Sequence, residues 1–259
     1  MAPASQVVSA LMLPALALGA AIQPRGADIV GGTAAAAGEF PYIVSLQNPN
    51  QGGHFCGGVL VNANTVVTAA HCSVVYPASQ IRVRAGTLTW NSGGTQVGVS
   101  QIIVNPSYND RTTDFDVAVW HLSSPLRESS TIGYATLPAQ GSDPAAGSTL
   151  TTAGWGTTSE NSNSIPSRLN KVSVPVVARA TCQSDYRSQG LSVTNNMFCA
   201  GLTQGGKDSC SGDSGGPIVD ANGVLQGVVS WGIGCAEAGF PGVYTRIGNF
   251  VNYINSNLA

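Results

Sequence analysis

Short apolar runs separated by turn residues dominate the pattern of this chain. Residues 42–46, 58–60, 65–68, 81–85, 117–120 and 227–231 are mostly β-branched or aromatic-rich and are bounded by Gly, Asn or Pro. Such side chains suit a pleated, packed surface. Their regular recurrence with turn chemistry between them predicts a barrel or sandwich of short strands. One stretch reads as a helix, where Phe250, Ile254 and Leu258 recur every four residues after Asn249, a residue type that can cap it. Residues 123–138, rich in Ser, Pro, Thr and Gly, read as a connection between two halves.

The amino terminus breaks this pattern. Residues 7–18 form an apolar run interrupted only by Ser9, Pro14 and small residues, and Leu18-Gly19-Ala20-Ala21 follows. About a dozen apolar residues ahead of small ones predict a signal peptide over residues 1–20, and such a run is too short to span a bilayer. It departs from the usual form in having no Lys or Arg ahead of it. The expected destination is extracellular, with no membrane anchor.

Composition narrows the class. Of 259 residues, 43% are hydrophobic and 9% charged, and 32 are Gly, which argues against disorder and suits a turn-rich β protein. A formal net charge of -2 offers no basic field for nucleic acid. Six cysteines, Cys56, Cys72, Cys182, Cys199, Cys210 and Cys235, fit disulfides in an oxidising compartment, and 15 pairings are open to them. No CxxC pair occurs and the three histidines are not at ligand spacing, so neither a metal nor another cofactor is expected.

The richest chemistry lies in Gly206-Lys207-Asp208-Ser209-Cys210-Ser211-Gly212-Asp213-Ser214-Gly215-Gly216-Pro217. Glycines on both sides of a serine let backbone N–H groups approach a substrate oxygen closely. A serine hydroxyl needs a base, and the base needs an orienting group. His71, in Thr68-Ala69-Ala70-His71-Cys72, has small neighbours and an adjacent cysteine that can pin it, whereas His54 is expected to be solvated and His121 to lie on the surface. Asp116 heads the apolar strand Asp116-Val117-Ala118-Val119-Trp120 and can reach inward, while Asp110 and Asp114 lie in a polar turn.

Chain order separates the hydrolase classes. Gly212-Asp213-Ser214-Gly215-Gly216 also fits the G-x-S-x-G elbow of α/β-hydrolases, but that class places its histidine after the serine, and no histidine follows residue 121. The subtilisin order needs an acid before His71, where only Asp28 and Glu39 stand. His, Asp, Ser remains, the order of the chymotrypsin group.

With Ile29-Val30-Gly31-Gly32, Gly154-Trp155-Gly156 and Ser230-Trp231-Gly232 added in order, residues 29–259 resemble the trypsin branch of the chymotrypsin-like serine proteases. The small cysteine set and the non-basic Asp28 look most like secreted fungal trypsins. The resemblance implies an all-β fold: two antiparallel six-stranded barrels, at about 29–130 and 131–248, with a C-terminal α-helix at about 249–258. It implies catalytic His71, Asp116 and Ser214, an oxyanion hole from the N–H groups of Gly212 and Ser214, and bridges Cys56–Cys72, Cys182–Cys199 and Cys210–Cys235. Asp208 would floor a pocket for substrate Arg or Lys, with Ser209, Ser230, Gly232 and Gly242 around it; the bland alternative is a solvated acid paired with Lys207. Residues 21–28 would form an activation propeptide, and cleavage before Ile29 would free an ammonium to pair with Asp213. Because Asp28 precedes that bond, an Arg/Lys-specific enzyme should not cut it, so another protease is expected to do so. Residues 72–109 hold no Asp or Glu, so the calcium loop of many vertebrate trypsins is not expected. Expected partners are protein or peptide substrates with Arg or Lys before the cut bond, and protein protease inhibitors. The enzyme is expected to be a monomer.

Overall fold

A computed structural model describes Met1, residues 29–162 and residues 164–259. The expected signal peptide and propeptide therefore lie outside the described residues. The first barrel consists of β2 (Ile43–Asn48), β3 (Gly53–Asn62), β4 (Thr65–Thr68), β5 (Arg82–Ala85), β6 (Thr95–Val104) and β7 (Ala118–Leu122). It closes in the order β2-β3-β4-β7-β6-β5, every neighbour antiparallel, with β5 returning to β2. The second consists of β8 (Thr149–Gly154), β9 (Asn170–Val177), β10 (Met197–Ala200), β11 (Pro217–Val219), β12 (Leu225–Trp231) and β13 (Gly242–Arg246). Its order is β9-β10-β13-β12-β11-β8, and β8 pairs with β9 to close it. Residues 123–135 cross between the barrels without a strand.

The predicted strands all appear, most of them longer than the apolar run that signalled them. β3 covers ten residues, of which 58–60 are the apolar centre. Ladder pairing extends a strand past its apolar part, because any residue can share main-chain hydrogen bonds. β9 alternates buried and more exposed positions, as the wall of a barrel should, whereas β2 and β4 are buried throughout. Trp120 and Trp155, both essentially inaccessible, lie in the larger apolar cluster, which draws residues from both barrels.

The termini cross over. Ile29 is fully buried with Leu150, Val172 and Val174 of the second barrel, and β1 (Thr33–Ala34) pairs with β9. A boundary at residue 29 would give this segment to the first barrel; its apolar contacts and ladder bonds place it on the second. At the other end Phe250, which precedes α3 (Val251–Asn255), and Ile254 within it pack into the shared core. Leu258, expected on the same face, is exposed, because the helix stops after Asn255. Asn249 does not cap it: that residue lies in a 3-10 turn, and its side-chain amide donates to the Asn195 carbonyl instead. The last residues are held to the first barrel, where the Asn257 carbonyl meets His121 Nε2 at 2.7 Å and the Ala259 N–H donates to Thr65 Oγ1 at 3.0 Å. His121 is thus half-buried and engaged, not a free surface residue.

Three disulfides join Cys56 to Cys72, Cys182 to Cys199 and Cys210 to Cys235. Each closes a loop of 16, 17 or 25 positions, worth about 3 kcal/mol in the loop-entropy account. The first pins the turn that carries His71, and the third the loop that carries Ser214.

Candidate active site

His71 stands in α1 (Ala70–Ser73), the single turn that follows β4. Its main-chain N–H donates to Asp116 Oδ1 at 2.8 Å and its Nδ1 to Asp116 Oδ2 at 2.9 Å, so one carboxylate fixes both the turn and the ring. Asp116 is 1% exposed and receives a further bond from Ser230 Oγ at 2.5 Å, while its carbonyl accepts from Thr245 Oγ1 at 2.7 Å. A buried carboxylate so surrounded is held rigidly. With Nδ1 as donor, Nε2 is left as the basic nitrogen, and 28% of the His71 side chain is exposed.

Ser214 is set against the same turn. Its carbonyl accepts from the Gly57 N–H at 2.8 Å, and Gly215 fits so tightly that a Cβ there would lie 2.1 Å from Thr68 Oγ1. Among the described residues no hydrogen bond of 3.5 Å or less joins Ser214 Oγ to His71 Nε2. Catalytic hydrogen bonds often tighten only when substrate arrives. Gly212 has φ +100°, a conformation that favours glycine, and among the described residues neither its N–H nor that of Ser214 donates to any acceptor. Two unspent donors beside a serine can receive a negative oxygen.

A cavity of about 170 Å³ opens next to Ser214, lined among others by Ser209, Ser211, Ser230, Gly232 and Gly242, with Asp208 in its wall. Asp208 is 4% exposed, and burial pushes its carboxyl up to about 6. It accepts from the Ala236 N–H at 3.0 Å and among the described residues has no ion pair; Lys207 does not reach it. A Cβ on Gly242 would stand 2.4 Å from Asp208 Oδ1, and a Cβ on Gly232 would meet nothing closer than 3.7 Å. One glycine makes room for the carboxylate, and the other leaves the lumen clear.

The trypsin family profile matches residues 29–254 of the chain. A mite protein named "Trypsin Blo t 3", from Blomia tropicalis, is 50% identical over 228 residues, which cover 87% of this chain and 84% of its own. The Sus scrofa trypsin is 45% identical over 234 residues, 89% of this chain and 96% of its own. The chain belongs to the trypsin family. It is a serine endopeptidase. The narrower likeness to fungal trypsins gains no support, since similar relatives come from mite, pig, rat (Rattus norvegicus cationic trypsin-3, 44% identical), fly and frog.

Asp213 lies sealed beside the open cavity. It is fully buried, accepts from the Gly156 N–H at 2.7 Å and the Cys210 N–H at 2.9 Å, and burial pushes its carboxyl up to about 7. Among the described residues no cation lies within 4 Å of it. The chain just after Ile29 runs alongside: the Val30 carbonyl accepts from the Asp208 N–H at 3.2 Å, and Gly31 packs on Gly206.

His54 is the site residue that sequence reasoning missed. Expected to be solvated, it is half-buried between Trp90 and Trp155, with ring centroids 6.3 and 5.5 Å away. Gln47 Nε2 donates to Ser45 Oγ at 2.9 Å, so Ser45 is left to donate to His54 Nδ1 at 2.7 Å. His54 Nε2 then donates to the Gly212 carbonyl at 2.9 Å. Burial pushes His54 down to about 4, so it is neutral at ordinary pH, the state this relay requires.

Proposed function

We propose that this enzyme cuts peptide bonds on the carboxyl side of Arg or Lys, and that it is secreted as a zymogen activated by cleavage before Ile29. The buried, unpaired Asp208 carries the first part. A carboxylate out of water is costly without a cation. A substrate guanidinium or ammonium reaching down the cavity supplies that charge and sets its own carbonyl beside Ser214. Arg and Lys, long and cationic, fit both demands.

The chemistry follows from the site. Ser214 Oγ attacks the carbonyl carbon as its proton passes to His71 Nε2, and the carbonyl oxygen takes the negative charge. The N–H groups of Gly212 and Ser214 hold that oxygen; losing one such donor costs about 2.7–4 kcal/mol in comparable sites. Asp116 stabilises the imidazolium and keeps the ring in place. His71 then gives its proton to the leaving amine, the C–N bond breaks, and an acyl-enzyme remains. Water, activated by His71, splits the ester and restores Ser214.

Activation rests on Asp213. A new α-ammonium at Ile29 would pair with it in the interior, and the contact between Val30 and Asp208 ties that event to the pocket wall. Asp28 before the bond supports activation by a different protease. A cleavage profile of a mixed peptide library with protein beginning at Ile29 tests the specificity. Cuts should follow Arg and Lys, and Asp208→Ser should lower kcat/KM for such sites by about 10²–10³-fold, as for a lost buried charge pair. Labelling of Ser214 by a fluorophosphonate should persist in that variant. Unchanged cleavage after Arg would remove Asp208 from the pocket reading.

A further inference from the structure

A second depression adjoins the pocket, and Trp231 is common to both. It encloses about 140 Å³ and is lined by Arg111, Thr112, Thr113, Gly190, Leu191, Ser192 and Trp231. Leu191 and the Trp231 indole give it an apolar side. Its polar side chains are a guanidinium and three hydroxyls able to donate, none of which is engaged in a side-chain hydrogen bond among the described residues. Among the described residues no carboxylate lines it. Asp110, next to Arg111 in the chain, makes no ion pair among the described residues, and Asp114 is taken up by Thr194 Oγ1 at 2.8 Å, Asn196 Nδ2 at 3.0 Å and the Phe115 N–H at 2.9 Å. Arg111 has no acidic partner within 4 Å among the described residues.

From this lining we infer that the depression is a subsite for an acidic side chain, Glu or Asp, lying one to three residues ahead of the Arg or Lys seated over Asp208. The inference rests on the Asp208 reading for its anchor. Ser230, Trp231 and Gly232 line the pocket and Trp231 also lines the depression, so a chain whose basic side chain fills the pocket can run past Trp231 into it. A residue in extended chain advances about 3.3 Å, so only a few positions come within reach. There a carboxylate meets Arg111 as an ion pair and the hydroxyls as donors, while its methylenes lie on Leu191 and Trp231. The two recesses then have opposite sign, selecting a base at one position and an acid at another.

The test is a pair of peptide libraries with Arg fixed at the cut and Glu, Ala or Lys varied at each of the three preceding positions. At one of them the enzyme should favour Glu over Lys by about five-fold or more in kcat/KM, as for a partly exposed ion pair, and the ratio should shrink at high salt. Arg111→Ala should abolish the preference, and Arg111→Glu should invert it. Because the readout is a ratio within one enzyme, a general loss of activity in a variant cancels. No preference in the parent enzyme, or a preference untouched by Arg111→Glu, overturns the inference. A companion library varying the residue at the cut reads the Asp208 assignment separately. If that fails while the acidic preference still inverts, the fault lies with the pocket and not with Arg111.

Discussion

Asp208 and Asp213 share one loop, are both buried, and are both pushed up by burial, to about 6 and about 7. Their surroundings differ. Asp208 looks into an open cavity that Gly232 also lines, and a side chain at Gly232 would meet little. Asp213 is closed in by Gly154 and Gly156, at which a Cβ would strike its carboxylate at 2.0 and 2.5 Å. Desolvation alone therefore does not decide what a carboxylate does. Access does. An open acid can exchange cations with every substrate, and a sealed one can take a permanent partner delivered once.

The sealed acid should give the largest effect when changed. In protein processed to begin at Ile29, Asp213→Asn removes the charge and turns an acceptor into a donor facing the N–H groups of Gly156 and Cys210. Breaking a buried pair costs about 3–5 kcal/mol, so active-site titration and kcat/KM should fall together by about 10²–10³-fold. Normal turnover in that variant would show that the two acids do not differ as described.

The glycines offer a second, sharper contrast. Gly232→Val should leave the melting temperature within about 1 °C but obstruct the cavity and lower kcat/KM on Arg peptides by about 10²-fold, since misplacement of about an ångström has such an effect. Gly154→Ala should do the reverse of this in stability, overpacking the sealed site by about 1–3 kcal/mol and lowering the melting temperature by about 3–10 °C. Equal stability in the two variants would erase the distinction between open and sealed.

The smallest effect concerns the peptide next to Asp213. His54→Ala frees the Gly212 carbonyl, and one lost hydrogen bond of about 1 kcal/mol should reduce kcat about five- to ten-fold with KM nearly unchanged. A drop in KM-controlled binding instead would place His54 outside oxyanion positioning.

The pattern of legibility has a physical basis. His71 and Ser214 sit among small residues with Cys72 and Cys210 nearby, and Asp116 heads an apolar strand, so their neighbourhoods betray them in the chain itself. Short apolar runs with turns between them predicted a barrel or sandwich, five of the six lying in the first barrel; the pair of barrels came from the family resemblance. His54 left no such mark. Its burial is made by Trp155 and by Gly212, 158 positions away, and its tautomer is set through Ser45 and Gln47 on the neighbouring strand. The exchange of termini was hidden for the same reason, because β1 has two residues and pairs with a strand more than a hundred positions on. Local chemistry shows in sequence; contacts between distant segments do not.

The most direct test is the pH dependence of binding of a small amidinium such as benzamidine to the processed enzyme. Burial raises the Asp208 carboxyl above its unfolded value of about 3.9, so with the cavity empty its charge costs stability that sets in as pH rises from about 4 to about 6. The cation binds the charged form. Calorimetry should therefore find steady affinity above pH 7 and a fall approaching ten-fold per pH unit below about 6, absent in Asp208→Ser. Affinity that stays level from pH 8 to about 4.5, or that Asp208→Ser leaves intact, would contradict the claim that this buried charge awaits the substrate's.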